Sequence, residues 1–254
     1  MEEDRSEYRH FLNSGYTVIK TSAGPRFTFD HGPLGMPPLF NHGHADALSV
    51  TLSVNGREIL VDPGTYRYND AGEWRNYFKS TRAHNTVMVD GMDQAVQETG
   101  FIWSKAYESE LLVSRQTGDD LYLEAVHTGY MRLEQPVRHR RSILFSNRSV
   151  FIIKDSFEGN GTHDFELNYH FHPDVKLMRL DRWWSAENAG SKVFIRTIRE
   201  EDFSQFRGLK APLLGWYSPN YGVKLESSVL SCRKSGDPNA IKFLTVISLI
   251  FPTA

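Results

Sequence analysis

Hydrophobic and polar positions alternate with a period of two along most of this chain. Runs such as "GYTVIKTS", "REILVD" and "LYLEAVHTGY" follow this pattern, and sustained helical periodicity is hard to find. Alternation is typical of strands with one buried face, because successive side chains of a strand point to opposite sides. The runs are short and are separated by Gly, Asn and Asp turns, so the sequence predicts an all-β fold, a large antiparallel β-sandwich.

The strongest local signal is a hairpin in which "ALSVTLSV" and "REILVD" flank Asn55 and Gly56. An Asn-Gly pair between alternating runs favours a two-residue turn, because both central residues need positive φ. A second hairpin is predicted around Asn147. We expect a single domain over residues 11–254, preceded by a linker or frayed N-terminus over residues 1–10.

Composition narrows the possible functions. The formal net charge is −2 with acidic and basic residues intermixed, which gives no indication of a nucleic-acid surface. The longest apolar run, "FLTVISLIF" from Phe243, is too short to cross a bilayer, so no membrane span is expected. Cys232 is the only cysteine, which excludes an internal disulfide and a multi-cysteine zinc cluster. Any metal site would therefore need histidine and carboxylate ligands.

Candidate chemistry begins at "FNHGHADAL", where His42 and His44 are two residues apart. In a strand, residues two apart project from one face, so the pair could converge on one ion or one substrate. Asp46 continues the same face and makes it polar where a core face would be apolar. An isolated His-X-His pair nevertheless more often packs or faces solvent, because short motifs are weak signals.

Two further polar motifs follow in the sequence. Asp62 lies in "VDPGTY" and His84 in "TRAHNTV". Taken alone, an Asp before Pro-Gly often serves only a turn, and a His before an apolar strand often bonds only to backbone. The segment between them, "YRYNDAGEWRNYFKS", is rich in Tyr, Trp and Arg. Such a loop suits a sugar-binding surface and equally suits packing on the sandwich.

Taken together, these motifs are specific enough to indicate a protein family. "FNHGHADALSVTLSVNGREILVDPGTY" followed by "WRNYFKSTRAHNTVMVDG" resembles the β-sandwich domain of the heparinase II/III-like polysaccharide lyases, and "HRRSILFSNRSVFIIKDSFEGNGTHDFELNYHFHPDV" fits the same family. The resemblance is clear over residues 11 to 175. It implies a zinc ion held by His44, Asp62 and His84, with water or a substrate group in a fourth position. Two neutral imidazoles and a carboxylate suit Zn²⁺ chemically.

The resemblance also implies a substrate cleft beside this zinc, whose role would be chiefly structural. His42 resembles the family residue that enters the cleft, joined by a loop tyrosine, with Tyr68 preferred to Tyr66. The substrate would be an anionic, uronate-containing polysaccharide (glycosaminoglycan- or alginate-like) that is cleaved by β-elimination. The expected location is the periplasm of a bacterium or the exterior of the cell.

In the family, a preceding α/α-toroid domain of the same protein supplies the main catalytic tyrosine, an asparagine and a histidine. This sequence has neither the length nor the helical periodicity to replace that domain. We therefore expect little or no lyase activity from this polypeptide alone.

The hairpin register raises a geometric difficulty. If the Asn-Gly turn is regular, Asp62 lies opposite Ser49, and His44 is five positions further along the strand. At about 3.3 Å per residue that separation is roughly 16 Å, which is too long for shared coordination. Either a bulge and a bend near Gly43 fold the histidines back, or Asp62 is not a ligand. The resemblance favours the first alternative.

Other interpretations remain open at this point. The chain could be a non-catalytic carbohydrate-binding or scaffold sandwich of an exopolysaccharide pathway, or a cupin-like enzyme that uses the histidines for a redox metal. A second His-X-His pair, His170 and His172, has no carboxylate motif nearby and is expected to be structural. "RHRR", from Arg138 to Arg141, is interpreted as a solvated strand face, with sulfated-sugar binding as the minority alternative.

Overall fold

The N-terminal part of the chain forms a five-stranded antiparallel sheet. The computed structural model describes residues 7–21, 24–198 and 202–251. The five strands, which are neighbours both in sequence and in the sheet, are β1 (Glu7–Phe11), β2 (Tyr16–Lys20), β3 (Arg26–Asp30), β4 (Val50–Val54) and β5 (Arg57–Leu60). Strand β1 includes residues 7–10, which the sequence assigned to a linker or frayed terminus, whereas residues 1–6 lie outside the described part.

The rest of the described chain is also dominated by strands. Its helical elements are one short α-helix, α1 (Glu73–Phe78), and two 3₁₀ turns, Thr81–Ala83 and Gly129–Arg132. The remaining strands are β6 (Val87–Val89), β7 (Val96–Gln97), β8 (Trp103–Ser104), β9 (Ser109–Thr117), β10 (Asp120–His127), β11 (Val137–Ser146), β12 (Val150–Gly159), β13 (His163–His170), β14 (Lys176–Leu180), β15 (Trp183–Asn188), β16 (Ser191–Thr197), β17 (Ser204–Arg207), β18 (Leu209–Lys210), β19 (Leu213–Leu214), β20 (Trp216–Tyr217), β21 (Leu225–Glu226), β22 (Ser228–Gly236) and β23 (Lys242–Ser248).

Two further sheets enclose the core together with the N-terminal sheet. An eight-stranded sheet has the order β14-β15-β16-β23-β12-β11-β10-β9, and a four-stranded sheet has the order β17-β22-β13-β6. A bridge between Leu60 and Phe171 joins the four-stranded sheet to the N-terminal sheet. The core packs between the layers, where Phe27 stacks on Phe151 with ring centroids 4.3 Å apart. The predicted antiparallel β-sandwich is confirmed. Among the described residues, no helix is long and apolar enough to cross a membrane.

The predicted Asn-Gly hairpin forms, but the strand before it is shorter than the sequence suggested. Asn55 and Gly56 have φ values of 51° and 73°, and Val54 pairs with Arg57. A bulge between Leu52 and Ser53 then shifts the register. The strand begins at residue 50 rather than 47, so the residues around the histidines are free to follow another path.

The interpretation of "RHRR" as a solvated strand face is wrong for half of its residues. Strand β11 alternates buried and exposed positions, and both His139 and Arg141 are fully buried while Arg138 is exposed. Arg141 faces Asp155 on the neighbouring strand and binds it through Nε and Nη2 at 2.8 and 3.1 Å. Burial is tolerated because the charge is paired. The fully buried side chains His127, His139, Arg141 and Asp155 are called the Arg141 network below.

Candidate metal centre

Four side chains with metal-ligating groups meet at the end of the N-terminal sheet. His44, Asp46, Asp62 and His84 each offer one ligand atom, and these atoms all lie within 4.8 Å of one another. His84 Nε2 lies 3.2 Å from His44 Nδ1, 3.4 Å from Asp62 Oδ2 and 3.9 Å from Asp46 Oδ2. His84 is buried, whereas the side chain of Asp62 is 49% exposed, so the group opens to solvent on the aspartate side. This group is called the metal cluster below.

The backbone around His44 explains how the register difficulty is resolved. The chain turns between Asp46 and Ser49, where the Ser49 amide donates to the Asp46 carbonyl at 2.9 Å and Leu48 has a φ of 63°. After the other strand of the hairpin, the Val61 amide no longer pairs within the hairpin and donates to the carbonyl of His170 at 3.0 Å. Both strands therefore depart from the regular ladder before the ligand residues.

Gly43 contributes a close approach between two chain segments. A Cβ at this position would lie 1.9 Å from the carbonyl oxygen of Leu34, so only glycine fits without a shift of the backbone. The Gly43 carbonyl accepts a hydrogen bond from the indole of Trp103 at 2.8 Å. The bend predicted near Gly43 is therefore part of a longer irregular segment that extends to Leu48.

Two amide side chains hold the ligand segments together. Asn85 Nδ2 donates to the carbonyls of Val50 and Val61 at 2.7 and 3.0 Å, which ties the two diverging strands beside His84. Gln94 donates to and accepts from the backbone of Ala47 at 3.0 and 2.8 Å. Neither role was predicted from the sequence. An amide that binds a distant backbone leaves no periodic signal in the sequence, although the neighbouring His-Asn pair was visible.

The charges of the cluster interact strongly. Burial alone would lower the pKa of His84, but the carboxylates of Asp62 and Asp46 outweigh it and raise the pKa to about 9. Burial opposes ionisation of Asp62, yet His84 holds the pKa of Asp62 well below its usual range. Burial and the nearby His84 lower the pKa of His44 to about 3, and burial raises that of Asp46. The cluster thus retains one positive charge among two carboxylates, which is the place a bound cation would take.

The donor set fits a divalent metal. His84 Nδ1 donates to the carbonyl of Ser80 at 2.7 Å, so Nε2 is the ring nitrogen that faces the cluster and would lose its proton to bind a metal. Two imidazoles and two carboxylates within one small space are a typical tetrahedral Zn²⁺ donor set. The sequence placed Asp46 on the polar face but did not count it as a ligand. Its position makes it a candidate for the fourth place that the sequence analysis gave to water or substrate.

The residues expected to enter a cleft are in contact with each other, and one of them, His42, is two residues before His44. The rings of His42 and Tyr68 are in edge contact with centroids 5.1 Å apart, and Tyr68 is 39% exposed. Tyr66 is buried, and its hydroxyl accepts a hydrogen bond from Lys224 Nζ at 3.2 Å. Tyr68 therefore lies next to His42, whereas the hydroxyl of Tyr66 is bound to Lys224 inside the protein.

The fold is that of the β-sandwich domains of solved heparinase-type proteins. A solved heparinase III superposes with a TM-score of 0.76 at 22% sequence identity, covering 98% of this chain and 37% of that chain. The solved heparan sulfate lyase HepC from Pedobacter heparinus gives a TM-score of 0.76 at 16% identity, covering 97% of this chain and 37% of that chain. At these identities the likeness concerns the fold.

The family follows from the sequence match. Residues 3–244 match the family model described as "Heparinase II/III-like, C-terminal", and this chain belongs to that family. A heparin-sulfate lyase of Bacteroides stercoris is 27% identical over 245 residues, which are 93% of this chain and 34% of that protein. The chain thus spans about a third of the length of that curated relative.

Proposed function

We propose that this chain is the zinc-binding C-terminal domain of a polysaccharide lyase that cleaves a uronate-containing polysaccharide by β-elimination. The observation that carries the proposal is the metal cluster beside His42 and Tyr68. His44, Asp62 and His84 are the proposed zinc ligands, and Asp46 is the candidate for the fourth position. The family membership and the names of the relatives support a glycosaminoglycan-like substrate, heparin or heparan sulfate, and a larger protein that includes an α/α-toroid domain.

The proposed reaction removes the C5 proton of the uronate. The electrons of that C–H bond form a C4=C5 double bond, the C4–O bond breaks, and the leaving oxygen takes up a proton. The C–H is a weak acid, so the site must stabilise the negative charge that develops next to the carboxylate. His42 and Tyr68 supply one wall of the cleft and groups for proton transfer. A bound zinc would act structurally by holding the histidine segment and the aromatic loop in place.

Zinc binding by the purified chain is the first test. Metal analysis and competition titration should give one zinc per chain, and His84→Ala should weaken the affinity more than about 100-fold. His163→Ala is a matched control, because His163 binds Asp90 at 2.6 Å outside the cluster. Binding of zinc with equal affinity by His84→Ala and the wild type would refute the ligand assignment. Iron or manganese in place of zinc would refute the assignment of the metal.

The reaction itself needs a separate test. The purified chain should form little or no unsaturated product from heparan sulfate, followed by absorbance of the C4=C5 bond. The longer protein that contains a toroid domain should form it, and His42→Ala should reduce that activity. If the longer protein binds acidic oligosaccharide without cleaving it, the chain is instead a non-catalytic carbohydrate-binding sandwich.

A further inference from the structure

A group of exposed aromatic side chains extends from Tyr68 away from the metal cluster. Tyr68 stacks on Phe101 with ring centroids 5.8 Å apart and lies 6.1 Å from the ring of Tyr221. Tyr221 is 65% exposed and Phe101 is partly exposed. The rings come from three separate chain segments, and exposed aromatic groups of this kind mark interaction sites more often than isolated ones do.

The turn that carries Phe101 is anchored by two buried cations. Arg75 Nε donates to the carbonyl of Gly100 at 2.8 Å, and Lys79 Nζ donates to that of Thr99 at 2.6 Å. Arg75 is 3% exposed and Lys79 is fully buried. Within residues 7–21, 24–198 and 202–251, neither cation has a carboxylate oxygen within 4.0 Å, the ion-pair distance, and one buried N–H of Arg75 has no hydrogen-bond partner. Burying an unpaired charge costs stability, so neutral hydrogen-bond donors would stabilise a purely structural turn better than these cations do.

Arg75 also lies against two rings of this aromatic group, whereas Lys79 lies against the buried Trp103. The guanidinium carbon of Arg75 lies 5.2 Å from the centroid of Tyr68 and 5.9 Å from that of Phe101. Lys79 Nζ lies 4.4 Å from the centroid of Trp103, whose indole donates to the carbonyl of Gly43. The aromatic surface therefore has the positive charge of Arg75 behind it, and Lys79 and Trp103 connect the turn that carries Phe101 to the histidine segment.

The segment that carries Tyr221 is held firmly as well. The Ser218 amide donates to the carbonyl of Pro63 and the Gly222 amide to that of Tyr66, both at 2.8 Å. Gly222 has a φ of 77°, and a Cβ there would lie 3.2 Å from Arg67 Nε, so the two segments approach closely. Tyr221 is thus presented from a fixed position about 150 residues after Tyr68 in the sequence.

We propose that Tyr68, Phe101 and Tyr221 form a stacking platform for a pyranose ring of an acidic oligosaccharide, with Arg75 as the positive charge behind the rings. The apolar face of the sugar would pack on the rings, and its carboxylate or sulfate would be attracted by the guanidinium of Arg75. The proposal rests on the proposed function and adds Phe101 and Tyr221 as residues that bind a sugar next to the reacting one.

Titration calorimetry of the 254-residue chain with a heparan sulfate tetrasaccharide, up to millimolar concentration, tests the platform. Tyr221→Ala and Phe101→Ala should each weaken binding roughly three- to tenfold. Phe251→Ala is the matched control, because Phe251 is 68% exposed and packs on Phe194 instead. Neutral cellotetraose should bind more weakly than the acidic probe. Unchanged melting temperatures would show that the variants are folded.

The outcomes separate the platform from the proposed function. If Tyr221→Ala and Phe101→Ala bind like the wild type while His42→Ala loses affinity, the platform is wrong and the cleft beside the metal cluster stands. If the wild type binds neither oligosaccharide, the platform is overturned, whereas the zinc measurement still decides the metal site independently. Equal affinity for the acidic and the neutral probe would overturn the proposal that Arg75 attracts the acidic group of the sugar.

Discussion

The metal cluster and the Arg141 network both join buried histidine to aspartate, yet their charges behave in opposite ways. In the cluster, Asp62 and Asp46 raise the pKa of His84 to about 9. In the network, His139 Nε2 lies only 2.7 Å from Asp155, but burial outweighs this contact and the pKa of His139 is lowered. The histidine that lies closer to its aspartate is therefore the one that stays neutral.

The difference lies in Arg141. Its guanidinium binds Asp155 through two nitrogens and offsets the charge of that carboxylate. Asp155 therefore raises the pKa of His139 too little to overcome the effect of burial. The metal cluster contains two carboxylates and no arginine that binds them in the described part of the chain. A buried histidine–aspartate group thus becomes a cation site only where its carboxylates are not already paired, and this separates a candidate metal centre from a structural network.

The two regions are also mechanically linked. Arg141 Nη1 donates to the carbonyl of Leu48 at 2.7 Å and to that of Asn85 at 2.6 Å. Leu48 lies in the segment after Asp46, and Asn85 follows His84. The network therefore spans the sandwich from the eight-stranded sheet to both segments that carry the candidate ligands.

Removal of Arg141 should produce the largest effect. Arg141→Met leaves Asp155 buried without its partner, and we expect a loss of about 3–5 kcal/mol in the free energy of unfolding, measured by urea denaturation without metal. Arg141→Lys keeps the charge but not the two-pronged contact, so its loss should be smaller. If Arg141→Met were as stable as the wild type, the network would not hold the sandwich as described.

Acidification should destabilise the metal-free chain. The pKa of His127 is lowered well below its ordinary value by burial and by the nearby His139, Arg141 and Arg132. Below about pH 6.5 this histidine is therefore protonated in the unfolded state but stays neutral in the folded state. Each such histidine contributes a slope of up to about 1.4 kcal/mol per pH unit, and stability is lost as the pH falls from 6.5.

The variant His127→Gln isolates this contribution. Unfolding free energies measured between pH 7 and pH 5 with a chelator present should fall less steeply for His127→Gln than for the wild type. The reason is that glutamine takes up no proton in either state. Identical slopes would contradict the assignment of His127 as a buried neutral group.

Replacement of Asp46 should have the smallest effect and tests the fourth ligand position. Asp46→Asn should weaken zinc binding about tenfold, because an amide is a poorer ligand than a carboxylate and water can take its place. Asp62→Asn should weaken it more, since Asp62 lies closer to His84. Asp90→Asn serves as the control outside the cluster. An unchanged affinity for Asp46→Asn would return the fourth position to water or substrate.

Much of the candidate site could be predicted from the sequence. Local chemistry marked the Asn-Gly turn, the Asp-Pro-Gly turn and the two histidine motifs, and the turn forms as predicted with φ of 51° and 73°. The structure brings His44, Asp62 and His84 together, although their role as ligands stays a prediction. Residues 47–49 do not continue the strand as the regular hairpin register assumed, because hydrogen bonds from Gln94 and Arg141 to the carbonyls of Ala47 and Leu48 hold this segment in a turn.

The sequence by itself determined the class of fold and the motifs that could carry chemistry, because period-two patterning and turn residues act over a few positions of the chain. Only the tertiary structure decided which charges meet. Asp46 joins the cluster, Arg141 is buried rather than solvated, and Tyr221 comes to lie beside Tyr68. These contacts join residues far apart in the chain or reverse a local expectation, and their energy depends on burial and on the neighbouring charges, which no local pattern encodes.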